Sequence, residues 1–310
     1  MVAVEKPGLR TTIQDLGRRG LAHLGVPRSG AADELSMRLA NALVGNPDGY
    51  AVFETTLFGP SLRFEAAAVA AITGAPAPIV VGGRSVDFGR SFVVAAGETL
   101  QLGRATRGLR SYIAVAGGFD VPETLGSRST DTLSGLGPAP LAAGDVVGIG
   151  CPGDARPEVA APSDVLASVL PDAGRPVRVL LNSSSGVFSD AAVEALTASD
   201  FVVSPQSDRV GVRLAGPVIE RVGSAEAPTE GMVTGAIQVP PDGAPVVLLA
   251  DHAVTGGYPV IAVVASADLP MVAQARPGTA LRFRAVSVAE ARKAWADAEE
   301  RLASVRTSGR

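Results

Sequence analysis

The chain is poor in lysine. Only Lys6 and Lys293 occur among 310 residues, so almost all of its positive charge is arginine. Neither lysine stands in a glycine-rich loop, which excludes a G-x-x-x-x-G-K-[ST] phosphate cradle. Both lie near the chain ends in polar sequence, so a Schiff-base lysine is not expected. Cysteine is scarcer still. Cys151 is the only one, so no internal disulfide forms, and a cytoplasmic protein is expected. No acid or histidine stands beside it, and Cys151 reads as a linker residue. The two histidines, His23 and His252, do not make a His-rich zinc site, and no H-E-x-x-H or C-x-x-C is present. No metal is therefore expected. No apolar run approaches the roughly 20 residues of a membrane helix. The N-terminus has no apolar core of a signal peptide. A net charge of −4 gives no electrostatic case for binding nucleic acid or an anionic membrane. There is no Gly-x-Ser-x-Gly elbow and no Cys–His nucleophile pair.

What is present is a series of short apolar runs rich in β-branched residues and bounded by Gly or Pro. Val69–Thr73, Ile79–Val81, Ser91–Val94, Thr99–Leu102, Ser111–Ala116, Val177–Leu181, Val246–Ala250 and Val260–Ala265 read as strands. One helix is clear over Ala32–Val44, where Leu35, Leu39 and Leu43 recur at helical spacing and Gly45-Asn46-Pro47 ends the run. Shorter or more charged helices are expected over Ser189–Leu196 and Val288–Val305. A weak repeat is visible in Ala96-Gly97-Glu98-Thr99, Ala143-Gly144-Asp145-Val146 and Pro277-Gly278-Thr279-Ala280. Each is a small residue or Pro, then Gly, then an acid or Thr, then an alternating strand. The alternative is a turn-plus-strand signature common to β proteins. Residues 151–176, rich in Pro, Ala and Asp, are the best linker candidate. The expected fold is mainly β with a few helices. Its domains are a β domain at 1–150, a second at 176–286, and a C-terminal helix and tail at 287–310.

Chemistry concentrates in loops. Between the last two apolar runs lies Asp251-His252-Ala253-Val254-Thr255-Gly256-Gly257-Tyr258-Pro259. A hairpin needs about two to five residues, so this loop is longer than a connector requires. Ser204-Pro205-Gln206-Ser207-Asp208-Arg209 is a second polar stretch. Arg209 can clamp a carboxylate or phosphate with two parallel hydrogen bonds, and the Gln206 amide both donates and accepts. The alternative is an Asp–Arg pair closing a turn. Gln238 sits on a strand between apolar neighbours, facing either the core or a pocket. His252 is the side chain most easily tuned near neutral pH, or else a solvated strand-end residue. In the first half, Asp15, Arg18, Ser29 and Glu54 are polar candidates, with Ser29 also readable as a helix cap.

The motifs G-L-R-T-T-I-Q-D-L-G-R-R-G (8 to 20), G-V-P-R-S-G-A-A-D (25 to 33), L-A-N-A-L-V-G-N-P (39 to 47) and A-V-A-G-G-F-D-V-P (114 to 122) carry a resemblance. So do G-S-R-S-T (126 to 130), V-S-P-Q-S-D-R-V-G-V-R-L-A-G-P (203 to 217), G-A-I-Q-V-P-P-D-G (235 to 243) and D-H-A-V-T-G-G-Y-P (251 to 259). Over about residues 4 to 285 the chain resembles the biotin-dependent carboxyltransferase family. That family includes proteins called allophanate hydrolase subunit 2 or the C subunit of 5-oxoprolinase, and the carboxyltransferase domain of urea carboxylase. The resemblance implies two cyclophilin-like β-barrel domains in tandem. It implies an ATP-dependent 5-oxoprolinase-type amidohydrolase acting with a subunit-1-like partner on a small amide. Alternatives within the resemblance are a carboxyltransferase for a urea-like substrate and a non-catalytic regulator that binds a kinase-inhibitor-like partner. ATP is implied for the complex. Biotin, if used, comes on another chain, because no methionine here stands beside a lysine. The resemblance assigns catalysis to Asp208, Arg209 and Asp251, and substrate binding to Gln206, Gln238, Tyr258, Asp15 and Asp33. The late loop departs from the family's Q-T-T-G-G-Y-P, reading Ala253-Val254-Thr255-Gly256-Gly257-Tyr258-Pro259.

Overall fold

A computed structural model describes residues 1–153, 155, 157–172, 174–182, 186–222 and 228–308. The chain divides into two compact units. The first is Met1–Arg18, Ser29–Leu170 and Glu299–Arg310, and the second is Arg19–Arg28 and Pro171–Ala298.

The first unit is built from two open sheets. One has seven strands in the order Phe119–Asp120, Val146–Ile149, Val2–Lys6, Ser61–Phe64, Thr99–Leu102, Ile79–Val81, Arg84–Ser85. The other has five, Thr11–Gln14, Val52–Thr56, Arg110–Val115, Ala68–Gly74, Ser91–Val94. Alternate residues of both supply one apolar core, with Val4, Leu62, Phe64 and Leu100 from the first and Ile13, Phe53, Ile72 and Ile113 from the second. The opposite face of the five-stranded sheet carries Val52, Ala71 and Ala114, which pack against the helix Glu34–Leu43. That helix, expected from Ala32, begins two residues later, and its cap is Asp33, not Ser29: the Asp33 carboxylate accepts the Ser36 N–H at 2.9 Å. Ser29 instead sits at φ 54° with its hydroxyl on the Thr130 carbonyl.

The second unit is a closed barrel of seven strands: Val177–Leu181, Val260–Val264, Ala236–Gln238, Val246–Leu248, Gly211–Ala215, Asp200–Val203 and Ala280–Ala285. It closes through a parallel pairing of the first and last. So the described residues are mainly β with five α-helices, one sheet closed, two large sheets open, and a two-stranded ribbon. The segment 151–176 is not a bare connector. It contains the helix Ser163–Ser168, and Val165, Val169 and Leu170 join the core against the Glu34–Leu43 helix. Its proline and alanine content hides three apolar residues at helical spacing.

The weak repeat has a physical basis. Gly97, Gly144 and Gly278 adopt φ of 81°, 93° and 86°, the third position of a turn that favours glycine. In each turn the residue after the glycine donates its N–H back three residues, from Glu98 to Ala95, Asp145 to Ala142 and Thr279 to Arg276. The side chain of that same residue accepts the N–H of the turn's first residue, at 2.8, 2.8 and 3.1 Å. Each glycine N–H then donates to the carbonyl of a residue in the neighbouring strand, Phe64, Val4 and Val203. The N–H of that strand residue returns to the carbonyl after the glycine. The same closed ring of bonds thus occurs twice in the first unit and once in the second.

Candidate functional site

In the second unit the Arg209 and Asp251 side chains meet. Nε and Nη2 of Arg209 donate to the two carboxylate oxygens of Asp251, both at 2.9 Å. This is the parallel two-bond geometry of an arginine fork. Both groups are buried, Asp251 completely. The main chain repeats the link, since the Asp251 N–H donates to the Arg209 carbonyl at 3.0 Å. The pair therefore ties the loop entering the strand Gly211–Ala215 to the loop leaving Val246–Leu248. It is present because Arg209 and Asp251 flank strands that pair directly, Gly211 opposite Leu248.

Gln206 and Asp208 lie on the exposed tip of the first loop. The Gln206 amide oxygen accepts from the Ser204 hydroxyl. Asp208 accepts the Val210 and Gly211 N–H groups at 2.8 and 3.1 Å, an Asx turn that sets up the following strand. Gln238 is nearly buried and its Nε2 donates to the Tyr258 carbonyl at 3.3 Å. It lies beneath the two-stranded ribbon Glu230–Gly231 with Thr255–Gly256. A Cβ on Gly256 would stand 2.5 Å from Gln238 Nε2, so a larger residue there would push the Gln238 amide aside. The Tyr258 side chain is half exposed. The fold thus joins Arg209 to Asp251 and Gln238 to the Tyr258 backbone, and sets Gln206 and Asp208 at the surface.

His252 is buried beside this pair. Burial lowers its pKa below the usual histidine value, while the Ala253 carbonyl, 2.7 Å from Nδ1, works in the other direction. The ring is thereby favoured as neutral with its proton on Nδ1.

The other two expected residues stand in the first unit, each at the centre of its own buried polar network. The Asp15 carboxylate accepts from the Ser127 hydroxyl at 2.6 Å, the Ser129 hydroxyl, the Arg128 N–H at 2.6 Å and the Gly17 N–H at 2.8 Å. Thus G-S-R-S-T folds around the acid of T-I-Q-D-L-G, over a hundred residues away. Asp33 caps its helix, and its own N–H donates to the Tyr112 hydroxyl at 2.8 Å, which donates to Glu54 at 2.8 Å. Glu54 also accepts the Ala32 N–H at 2.9 Å. Burial, then the Glu54 and Asp33 carboxylates, push the Tyr112 phenol well above its usual pKa, so it remains a donor. Tyr112→Phe removes one buried partner from both the Asp33 N–H and Glu54. A loss of about 1–3 kcal/mol in chemical denaturation is expected. A loss below about 0.5 kcal/mol would mean that water replaces the hydroxyl.

Two polar residues escape a reading of the sequence. Tyr112 lies inside an apolar run and reads only as strand. Arg213 alternates with the buried Val212 and Leu214 on the strand Gly211–Ala215, so its outward position follows from the period of two. It lines a groove of about 600 Å³ with Ser204, Pro240, Asp242, Val246 and Tyr258. Among the described residues no three or more His, Cys, Asp or Glu side chains gather as a metal-binding group. No helix of the described residues is long and apolar enough to cross a membrane.

A family model described as carboxyltransferase domain, subdomain A and B, matches residues 24–285. The chain belongs to that family. This carboxyltransferase-family chain is 36% identical to the C subunit of the 5-oxoprolinase of Escherichia coli K12, over 96% of its own length and 95% of the other's. It is thus a homologue of that subunit. Among solved structures it is similar to TTHA0988, with 40% identity and a TM-score of 0.82 over 91% of its length. It spans 56% of that chain. It also resembles part of the K. lactis urea amidolyase, at 31% identity and a TM-score of 0.90 over 98% of its length. There it spans only 20% of the larger protein.

Proposed function

We propose that this chain is the C-type subunit of an ATP-dependent 5-oxoprolinase, opening a small cyclic amide to the amino acid together with a subunit-1-like partner. The observation that carries the reading is the end-to-end similarity to the C-type 5-oxoprolinase subunit of E. coli. The similarity runs over 95% of that subunit, so it is to the whole of it and not to one part. Both units are read as cyclophilin-like, which the shared turn ring supports.

Among the described residues neither lysine stands in a phosphate cradle. Lys293 is exposed and paired with Asp297 at 2.8 Å, Lys6 is exposed, and no metal-binding group of acids stands among the described residues. ATP is read as a requirement of the complex as a whole. For the chain's own residues we read Gln238 and Tyr258 as the groups that meet the amide, with Gln206 and Asp208 at the rim. Arg209 and Asp251 position these loops, because the guanidinium fork is already filled by the carboxylate. Asp15 and Asp33 hold the first unit's loops in place.

The test is to co-express the chain with its partner and follow glutamate release from 5-oxoproline. Release by the complex that requires ATP is expected, with none from the isolated chain. Turnover by the chain alone, or none by the complex, would refute the reading. The similarity to urea amidolyase favours a second reading, carboxyl transfer to a urea-like acceptor from biotin on another chain. The same complex supplied with a biotinylated carrier, bicarbonate and urea distinguishes the two.

A further inference from the structure

The barrel presents a row of side chains of which the proposed reaction uses only Gln238. Arg213 pairs across the sheet with Val246, Val246 with Gln238, and Gln238 with Val260. The Ser204 N–H donates to the Arg213 carbonyl at 2.9 Å, which adds Ser204 to the same row. Residues opposite one another on paired strands point to one face. The intervening Val212, Leu214, Ile237 and Val247 are buried, so the row faces out of the barrel.

Arg213 differs from the arginines that the fold pairs with acids. Arg38, Arg84, Arg90, Arg110, Arg128, Arg178, Arg209, Arg282 and Arg284 each meet a carboxylate. Among the described residues the Arg213 guanidinium makes no hydrogen bond and no ion pair. Its main chain is nevertheless fixed. The Arg213 N–H donates to Ser207 Oγ at 3.0 Å, and its carbonyl takes the Ser204 N–H. A fixed stem with an uncommitted planar fork suits a ligand carboxylate.

The groove also holds a complementary charge. Asp242 is exposed, and one of its oxygens accepts the Ala244 N–H at 3.1 Å, which orients the carboxylate and leaves the other oxygen open. Between the two charges the walls are Pro240, Pro241 and Val246, rigid and apolar, with the Tyr258 ring at the edge. A cation, an anion and an apolar wall in one groove of about 600 Å³ match a small zwitterion with an aliphatic body.

We infer that this groove binds a free α-amino acid, its carboxylate on Arg213 and its ammonium on Asp242. In the 5-oxoprolinase reading, on which only the ligand's identity rests, that amino acid is the product glutamate. The cyclic amide has a carboxylate but no ammonium, so it satisfies Arg213 and not Asp242. The groove then favours the opened ring over the closed one.

The test uses the isolated full-length chain, titrated with L-glutamate and separately with 5-oxoproline at matched ionic strength, by calorimetry or NMR. Saturable glutamate binding, tighter than 5-oxoproline binding, is expected. Arg213→Gln should weaken both ligands by about tenfold, a lost charge-assisted pair. Asp242→Asn should weaken glutamate by a similar factor and leave 5-oxoproline unchanged. Arg282→Gln, which removes an exposed arginine paired with Asp200 elsewhere on the barrel, should change neither. Both groove side chains are exposed, so the melting temperatures should match the parent. If one does not, Arg213→Lys is read in its place, with an intermediate loss expected from its retained charge. No glutamate binding by the parent, or undiminished binding by the Arg213 variants, overturns the inference. Glutamate binding without ATP-dependent turnover in the complex would sink the reaction reading and leave the groove. Turnover without glutamate binding would do the reverse.

Discussion

Asp251→Ala is expected to cost about 3–5 kcal/mol of unfolding free energy, enough to remove a large part of an ordinary domain's stability. The reason is what remains after the change. The Arg209 guanidinium keeps its charge in a nearly closed site and loses both of its bonds to the Asp251 carboxylate. Arg209→Lys should cost less, because an ammonium still answers the carboxylate but makes one directed contact where the fork made two. Urea denaturation of the isolated chain measures both. The order Asp251→Ala worse than Arg209→Lys is the informative result. If Asp251→Ala melted like the parent and only the activity of the complex fell, the pair would be a catalytic dyad and not a brace.

Asp15→Ala should also be severe, at roughly 3 kcal/mol. Four donors converge on that carboxylate, two hydroxyls and two main-chain N–H groups. An unanswered buried donor costs about 1–3 kcal/mol. The hydroxyls of Ser127 and Ser129 can rotate to other acceptors, whereas the N–H groups of Arg128 and Gly17 cannot. Asp15→Asn should fall between, since its amide retains one accepting oxygen and brings two donors where only acceptance is wanted. Limited proteolysis gives a second measurement, with new cleavage expected near residues 124–130. A melting temperature within a degree or two of the parent would show that the loop holds itself without the acid.

The legible parts of the sequence are those where one physical pattern dominates. Ile79–Val81, Ser91–Val94, Thr99–Leu102 and Val177–Leu181 are short apolar strands that read at their observed bounds. The strand Thr11–Gln14 is not among the strands the sequence suggests. Its four residues are all buried, and Gln14 reaches the Thr130 carbonyl at 3.0 Å. A strand whose polar groups are satisfied from a segment more than a hundred residues away carries no local signal. The same holds for the candidate residues. Arg209 and Asp251 stand out as chemistry by type, but nothing in a sequence says that an arginine's fork is already occupied. Arg213 shows the converse. Its type is common, and only an open guanidinium sharing one groove with Asp242, which needs coordinates, sets it apart.

The turns at Gly97, Gly144 and Gly278 bear on how such sequences drift. The position after each glycine is Glu, Asp or Thr, three side chains of different length, charge and branching. What they share is an oxygen that reaches back to the N–H three residues earlier. The constraint acts on an atom and leaves the residue type open. Two copies of the ring can therefore diverge beyond recognition by identity scoring and stay superimposable in their bonding. A lineage that keeps the glycine and exchanges the acceptor would retain the joint between strands long after its amino acids have ceased to align.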